Sequence, residues 1–440
     1  ALLRGALLGD FPAFLQAARA GAGGQDRGHL QERRPQSPAA QGGRGPAQED
    51  PDPDQVNPGP GGTSTIVTGQ FIPLTKYLEH RTSTAVFFSV VRASRERCQG
   101  EGTQMKRTRV VCLSLVLCAA LAGGAQAASF LGFDFRGGSE AYGVSADGSV
   151  AVGWGIWGFD REAFRWTQSS GAVDLGFLPD THESIALSVS AHGSTVVGYG
   201  RLSVTTEAFR WTQGAGMVGL GFLPEGSLES YAYDVSADGS IVVGGSSTAE
   251  DRKFEAFRWT QSAGMVGLGY LPGHSESCAF GVSADGAIVV GRSETGEGVE
   301  NRSEAFRWTP NEGMAGLGFL SHGDLRSGAT DVSADGAIVV GYCVSSSGYA
   351  EAFRWTQSAG MVGLGHLAGY SVSVASAVSA DGSTVVGNSG SGDKTEAFIW
   401  DEKNGMRNLK ELLIDTCGLD LKGWTLERAT GISYDGKTIV

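Results

Sequence analysis

Residues 230–273 read SYAYDVSADGSIVVGGSSTAEDRKFEAFRWTQSAGMVGLGYLPG, one copy of a unit that recurs from residue 139 to residue 440. The residue before the glycine of the Ala-Asp-Gly turn returns at distances of 45, 46, 47, 50, 46 and 54 residues, at Asp147, His192, Asp238, Asp285, Asp335, Asp381 and Asp435. A unit of this length cannot bury its apolar face alone. The copies must therefore stack or close into a ring.

The quoted copy divides into four short segments that favour β-structure, at 231–236, 241–244, 255–260 and 265–271. Ala-Asp-Gly joins the first two segments, where the glycine accepts a positive φ at little cost. A connector of variable length leads to the third segment, and Gln-Ser-Ala-Gly turns the chain into the fourth. Each copy is therefore predicted to be a four-stranded antiparallel meander.

Four short strands repeated at this period predict an all-β fold, a β-propeller of four-stranded blades. A parallel β-helix is the opposing candidate, but its short coils would not carry two hairpin turns per unit. Six copies contain the complete Glu-Ala-Phe segment, and a seventh starts at residue 429. Residues 129–133 resemble the fourth segment at 220–223. We expect seven blades, the last shared between both chain ends, and a sequence truncated at its carboxy end.

Residues 1–104 differ from the repeats, because they hold nine of the 13 prolines and lack hydrophobic periodicity. We interpret them as a disordered or non-native upstream segment. Residues 105–127 have the order of a secretory signal peptide: Met105 and a basic stretch, an apolar run at 110–122, and Ala-Gln-Ala at 125–127. The alternative is a cytoplasmic tail with an internal signal anchor. The expected mature domain is 128–440, without a transmembrane helix, secreted or at the cell surface.

Charge is unevenly distributed along the chain, whose formal net charge is −13. After residue 127, 20 basic residues stand against 37 acidic ones, which disfavours nucleic acid as a partner because phosphate binding needs positive charge. Three cysteines remain in this region, Cys278, Cys343 and Cys417, and their odd number and wide spacing match no disulfide framework or metal motif. We expect at most one disulfide.

Side chains that return in every copy indicate packing more than chemistry. Phenylalanine and tryptophan recur two residues apart and so share one strand face, at 164/166, 209/211, 257/259, 306/308, 353/355 and 398/400. Burial between units is the favoured interpretation, and a stacking platform for sugars is the alternative. The recurring Glu and Arg of Glu-Ala-Phe-Arg, as in Glu255 and Arg258, suggest ion pairs between blades or solvated edges. An active site needs one special constellation instead.

The motifs of the sequence predict no catalytic, cofactor-binding or metal-binding residue, and no cofactor. The runs starting at Asp234 and Asp331 resemble the start of a calcium loop, but their twelfth positions are Gly245 and Tyr342 where glutamate is needed. The hairpin-turn interpretation is favoured over calcium. Four histidines lie near variable connectors, without the spacing of a ligand motif, so a metal or acid–base role stays open: His182, His274, His322 and His366.

Connector lengths separate the two ends of the predicted ring. Between the second segment and Glu-Ala-Phe they are 8, 10 and 12 residues, at 154–161, 245–254 and 292–303, whereas the Ala-Asp-Gly and Gln-Ser-Ala-Gly turns hardly vary. Binding residues concentrate on loops that a rigid scaffold holds. The variable end is therefore the candidate binding face, with plain solvated loops as the alternative.

Val-Ser-Ala-Asp-Gly, Glu-Ala-Phe-Arg-Trp-Thr and Gly-Met-Val-Gly-Leu-Gly-x-Leu-Pro together resemble the HAF family of bacterial extracellular repeats, over about residues 129–440. The resemblance implies export from a Gram-negative bacterium, in some members with an autotransporter barrel, and no established reaction. We expect a binding scaffold for a cell-surface, matrix or polysaccharide partner. The rival hypothesis is a propeller enzyme, a glycan hydrolase or lyase.

Overall fold

The computed structural model describes residues 93–94, 110–113, 128–133, 138–202, 205–224, 229–247, 253–296, 302–321 and 324–440. Nearly all of the predicted upstream segment and most of the predicted signal peptide lie outside these ranges. Within them, no helix is long and apolar enough to cross a membrane.

Six complete blades follow one another, each with its four strands paired antiparallel in chain order, and one parallel bridge, Ser303 with Arg326, joins blades 4 and 5 into a single sheet. Their bounds are Ser139–Val144, Val150–Trp157, Asp160–Thr167 and Gly171–Asp174 in blade 1; Glu183–Val189, Thr195–Leu202, Thr205–Thr212 and Gly216–Gly219 in blade 2; Ser230–Val235, Ile241–Ser247, Phe254–Thr260 and Gly264–Gly267 in blade 3; Glu276–Val282, Val289–Glu294, Ser303–Thr309 and Gly313–Gly316 in blade 4; Arg326–Val332, Ile338–Val344, Ala350–Thr356 and Gly360–Gly363 in blade 5; Val372–Val378, Thr384–Ser391, Lys394–Asp401 and Gly405–Asn408 in blade 6.

A helix follows blade 6 at Leu409–Cys417. The side chain of Asn408 caps it by accepting a hydrogen bond from the Glu411 amide, and Gly418 ends it in the left-handed conformation. Leu409 and Leu413 are buried and join the core next to blade 6. The repeat pattern, which favours strands throughout, did not predict this helix.

A continuous ring of backbone hydrogen bonds links the seven turns between strands one and two. The alanine of each turn donates its N–H to the carbonyl of the equivalent residue one blade further on, at 3.0 to 3.2 Å: 146 to 191, 191 to 237, 237 to 284, 284 to 334, 334 to 380 and 380 to 434. Tyr434 then donates to Ala146 at 3.1 Å, which closes the circle. The predicted β-propeller with seven blades is confirmed. Strand one is innermost, because the first strands of neighbouring blades contact one another.

The closing blade draws on both chain ends. Ile432 bridges Ile439, and the Thr430 hydroxyl donates to the Ala141 carbonyl of blade 1 at 2.9 Å. From the amino-terminal side, Phe130 packs edge-on against Trp424, with ring centroids 5.7 Å apart. The strand pairing differs in one respect from our expectation. Gly132–Phe133 pairs with Val110–Leu113, which pairs in turn with Ala93–Ser94, and within the described residues it pairs with no carboxy-terminal strand.

The cores lie between blades. Val152 and Ala163 of blade 1, for example, pack with Val189 and Phe209 of blade 2, all of them buried. Glycine at the fourth position of strand two lets the first strand approach closely; a Cβ added at Gly244 would lie 1.8 Å from the carbonyl oxygen of the neighbouring strand. A single copy therefore lacks half of its own core, as its length predicts.

Candidate functional site

The residues shared by all blades have structural partners. The Arg165 guanidinium donates from Nε to the turn carbonyl of Gly193 in the next blade at 3.0 Å, and Arg210 does the same to Gly239 at 3.2 Å. The recurring glutamate bonds its own blade, as where Glu255 accepts from the Gly269 amide at 2.9 Å. The expectation of ion pairs between blades is therefore wrong for these residues: the arginines do link neighbouring blades, but through backbone carbonyls.

The turn aspartates are also structural. Asp238 accepts from the Ser236 hydroxyl at 2.7 Å and from the Ser240 amide at 2.9 Å. These hydrogen bonds hold the pKa of the Asp238 carboxyl below its usual value. Gly239 has a φ of 76°, as a tight turn requires. The turn carboxylates therefore stabilise their own hairpins.

The two rings of each recurring aromatic pair differ in how deeply they are buried. The six phenylalanines are fully buried between blades, whereas the tryptophans are buried or half-buried at the edge of the same cores. Burial is therefore confirmed as the main role of these pairs. Because all blades carry them equally, they do not mark a unique site.

A unique constellation lies where the first strands meet around the axis. The residue after the bulge of strand one is Gly143, Ser188, Asp234, Gly281, Asp331, Ala377 and Gly431 in successive blades. Neighbouring members of this set touch: a Cβ on Gly281 would lie 3.1 Å from the Cα of Asp331. Two carboxyls, on blades 3 and 5, therefore stand in a ring of small residues.

Each of the two carboxyls is held by several blades. Asp234 accepts from the Ser188 hydroxyl of blade 2 at 2.6 Å and from the Val282 amide of blade 4 at 2.9 Å. Asp331 accepts from the Val378 amide of blade 6 at 2.8 Å and from the amide of Val332 at 2.7 Å. These bonds fix both side chains on the innermost strands.

Electrostatics sets this pair apart. Burial raises the pKa of Asp234 to about 6. Burial and the neighbouring charge of Asp234 raise the pKa of Asp331 to about 8. Tyr434 replaces the alanine found in the other six turns, and burial together with both carboxyls raises the pKa of its phenol. At neutral pH the pair thus holds about one proton, the arrangement of an acid beside a base.

An aromatic chain occupies the inner strands of blades 2 to 4. The Tyr199 ring meets Tyr231 edge-on at 5.0 Å, Tyr231 stacks on Tyr233 at 6.1 Å, and Tyr233 meets Phe280 edge-on at 5.1 Å. Tyr199 and Tyr231 are buried, whereas Tyr233 and Phe280 are half-buried. Since Asp234 follows Tyr233, the aromatic chain borders the carboxyl pair.

Charged side chains flank the aromatic chain. The Arg292 guanidinium lies over the Phe280 ring at 5.9 Å, donates from Nη1 to the Tyr342 hydroxyl at 3.0 Å, and pairs with Glu294 at 2.5 Å. Arg292 and Tyr342 occupy the position after the strand-two glycine, a position that holds Trp154, Tyr199, Gly245 and Asn388 in other blades. The blades therefore differ in their inner strands as well as in their connectors.

Aromatic rings also mark the tips of the variable end. Phe159 is fully exposed on the tight turn between strands two and three of blade 1, and Tyr349 is 54% exposed on the equivalent connector of blade 5. Parts of the other connectors, with His322, lie outside the described residues.

The predicted histidines and cysteines do not come together. His182, His274 and His366 lie in connectors at three different blade junctions, and among the described residues no group of three potential metal ligands forms. Cys278, Cys343 and Cys417 are all free, which agrees with the expectation of at most one disulfide.

Comparisons with known proteins are distant. No protein-family model and no curated protein matches the chain. Among solved structures, it is similar to a putative TolB from Agrobacterium tumefaciens, at 17% identity, 50% of this chain, 78% of that chain and a TM-score of 0.38. An oligogalacturonate lyase from Vibrio parahaemolyticus is 9% identical, with 62% of this chain and 79% of that chain covered and a TM-score of 0.44. Prolyl oligopeptidase B from Galerina marginata is 11% identical, with 72% of this chain and 51% of that chain covered and a TM-score of 0.46. These values carry no argument about activity.

Proposed function

We propose that this chain is an exported propeller that binds a polysaccharide, as part of a cell surface or matrix, through the end of the ring that bears the variable connectors. The observation that carries the proposal is the aromatic chain on blades 2 to 4, which ends in the half-buried rings of Tyr233 and Phe280. Aromatic faces with a few fixed polar groups are a common lining of ligand sites.

Charge and the surroundings of the rings support this class of partner. A net charge of −13 disfavours polyanions in general, so a neutral glycan is the favoured ligand. Arg292 and Glu294 offer hydrogen-bonding groups next to Phe280. The exposed rings of Phe159 and Tyr349 add apolar contacts at the rim of the same end.

Binding to an array of neutral and acidic glycans tests the proposal. Tyr233→Ala and Phe280→Ala are expected to weaken binding at least tenfold, because each removes a ring of the chain. Val266→Ala is the control, since Val266 is 50% exposed on strand four of blade 3, at the opposite edge of the sheet from Tyr233. An absence of glycan binding, or equal loss in the control, would contradict the proposal, provided that all variants melt like the parent chain.

The carboxyl pair favours a second candidate, an enzyme that cleaves glycans. Asp331, protonated at neutral pH, could supply the acid, and Asp234, largely ionised there, the base or nucleophile. Turnover of a bound glycan that is lost in both Asp234→Asn and Asp331→Asn, with binding retained, would establish this candidate. Binding without turnover would establish the first.

A further inference from the structure

Two neighbouring clefts lie at the constant end of the ring, the end that bears the Ala-Asp-Gly and Gln-Ser-Ala-Gly turns. Cleft 1, between blades 1 and 2, has a volume of about 530 Å³, and cleft 2, between blades 2 and 3, has a volume of about 430 Å³. Both volumes fall in the range of small-molecule sites. Arg210 and Asp238 line both clefts, so the two lie side by side along blade 2.

The two clefts have the same kind of wall. One blade supplies the arginine of its third strand, and the next blade supplies the serine of its first turn and a Trp-Thr-Gln segment. These residues are Arg165, Ser194 and 211–213 in cleft 1, and Arg210, Ser240 and 259–261 in cleft 2. The tryptophans are half-buried, whereas the serines and glutamines are exposed. Each cleft therefore sets an aromatic surface beside accessible polar groups.

The arginines of the clefts keep donors for a ligand. Nε of Arg165 and Nε of Arg210 each donate to a turn carbonyl of the next blade, which fixes the guanidinium in its cleft. Arg210 also donates from Nη2 to the Thr195 hydroxyl at 3.3 Å. Because a guanidinium has five N–H groups, the others can meet a ligand without breaking the link between the blades.

The full set of side chains distinguishes these two clefts from the other blade junctions. Five junctions carry both the arginine and the tryptophan, but only clefts 1 and 2 add both the serine and the glutamine. Ala287 and Pro310 replace these two between blades 3 and 4. Ala337 replaces the serine between blades 4 and 5, and Glu402 replaces the glutamine between blades 5 and 6. Packing explains the residues common to all five junctions, but it does not explain the polar pair beside blade 2.

We propose that clefts 1 and 2 form a second saccharide site, in which a neutral oligosaccharide lies along blade 2 with one sugar unit in each cleft. Sugar hydroxyls both donate and accept, as do the serine hydroxyls and glutamine amides, while the arginines donate and the Asp238 carboxylate accepts. The apolar face of each sugar ring packs on the tryptophan. The site does not depend on the glycan site proposed at the variable end, and a chain with both would cross-link two glycans.

An array of oligosaccharides of two to four glucose, galactose, mannose or N-acetylglucosamine units tests the proposal with the full 440-residue chain. The double variant Ser194→Trp/Ser240→Trp fills both clefts from exposed turn positions and should weaken binding of the oligosaccharides held there at least tenfold. Ser383→Trp is the matched control, because Ser383 is an equally exposed serine at the same turn position, between blades 5 and 6. Tyr233→Ala, at the variable end, should leave this binding unchanged.

Gln213→Ala/Gln261→Ala tests the polar contacts without adding bulk. It should weaken the same oligosaccharides several-fold and keep the melting temperature of the parent chain, since both glutamines are exposed. Binding that survives Tyr233→Ala and is lost in the double tryptophan variant supports the second site even if the variable end binds nothing. The proposal is overturned if the parent chain binds none of the oligosaccharides, if Ser383→Trp loses binding equally, or if removing the glutamine amides changes nothing.

Discussion

Replacing Asp331 by asparagine should stabilise the propeller at alkaline pH and not at acidic pH. The pKa of this carboxyl rises to about 8 in the folded chain, from an ordinary value of 3.8. The folded state therefore binds a proton that the unfolded state has lost throughout this window. Its stability falls as the pH rises from about 4 to 8 and is lowest above 8. Asparagine, neutral at every pH, escapes that loss.

The magnitude follows from the same values. A difference of about four pH units, at about 1.4 kcal/mol each, sets an upper limit of about 6 kcal/mol on the loss of stability in the parent chain. Residual solvent contact reduces it, since Asp331 is only half-buried against water, and we expect about 2 to 3 kcal/mol. The two carboxyls titrate as a pair, so the midpoint belongs to both.

Urea unfolding of the parent chain and Asp331→Asn at pH 5 and pH 9 measures the effect. The variant should gain about 2 to 3 kcal/mol at pH 9 and less than about 1 kcal/mol at pH 5, where little of the linkage has developed. Asp238→Asn is the control with the opposite sign, because hydrogen bonds hold the pKa of that turn carboxyl low and its ionised form stabilises the fold. A difference between Asp331→Asn and the parent chain that does not change with pH would refute the reasoning.

Three further predictions concern the scaffold. Ser184→Ala should lower the free energy of unfolding by about 1 to 3 kcal/mol because it leaves the Ala163 amide and the Gly176 carbonyl of blade 1 unpaired; urea titration measures the loss, and an unchanged midpoint would argue against it. Gly244→Ala should lower stability by at least about 4 kcal/mol or prevent folding, whereas Gly264→Ala, with a φ of 69° and open space around it, should lower it by about 1 to 2 kcal/mol; equal losses in thermal melts would contradict this. Burial raises the pKa of the Cys278 thiol to about 12, so it should resist a thiol reagent at pH 8 until the chain is unfolded, and rapid labelling of the folded chain would show the site to be open.

The repeat made most of the fold predictable. Turn chemistry, strand alternation and a period near 46 residues are local signals, and they predicted four strands per blade and seven blades. The helix at Leu409–Cys417 has its own signal, since Asn408 and Gly418 are typical cap residues, but the repeat pattern drew attention away from it. The pairing of Gly132–Phe133 could not be predicted, because the choice of partner strand is a long-range property.

The candidate site was harder to predict, for a physical reason. Asp234 and Asp331 stood out only as the start of an imperfect calcium loop, and they lie almost 100 residues apart. Only ring closure brings both carboxyls to the axis, where the charge of Asp234 raises the pKa of Asp331. Likewise, Tyr233 of blade 3 contacts Phe280 of the neighbouring blade 4. The usable signal was the departure from the repeat at inner-strand positions.

Departures from the repeat at inner-strand positions are tolerated because main-chain atoms link the turns of neighbouring blades. The ring of turn-to-turn bonds uses only main-chain atoms, so its seven links hold whether the residue is alanine or, at position 434, tyrosine. The position after the strand-one bulge is equally free, because glycine, serine, aspartate and alanine all fit there. Aspartate at two of these seven places costs stability at neutral pH, by the sign of its pKa shift, where glycine would not. A scaffold that can do without these carboxyls yet holds them in place with hydrogen bonds from four blades is what a site selected for function, at the expense of stability, would show.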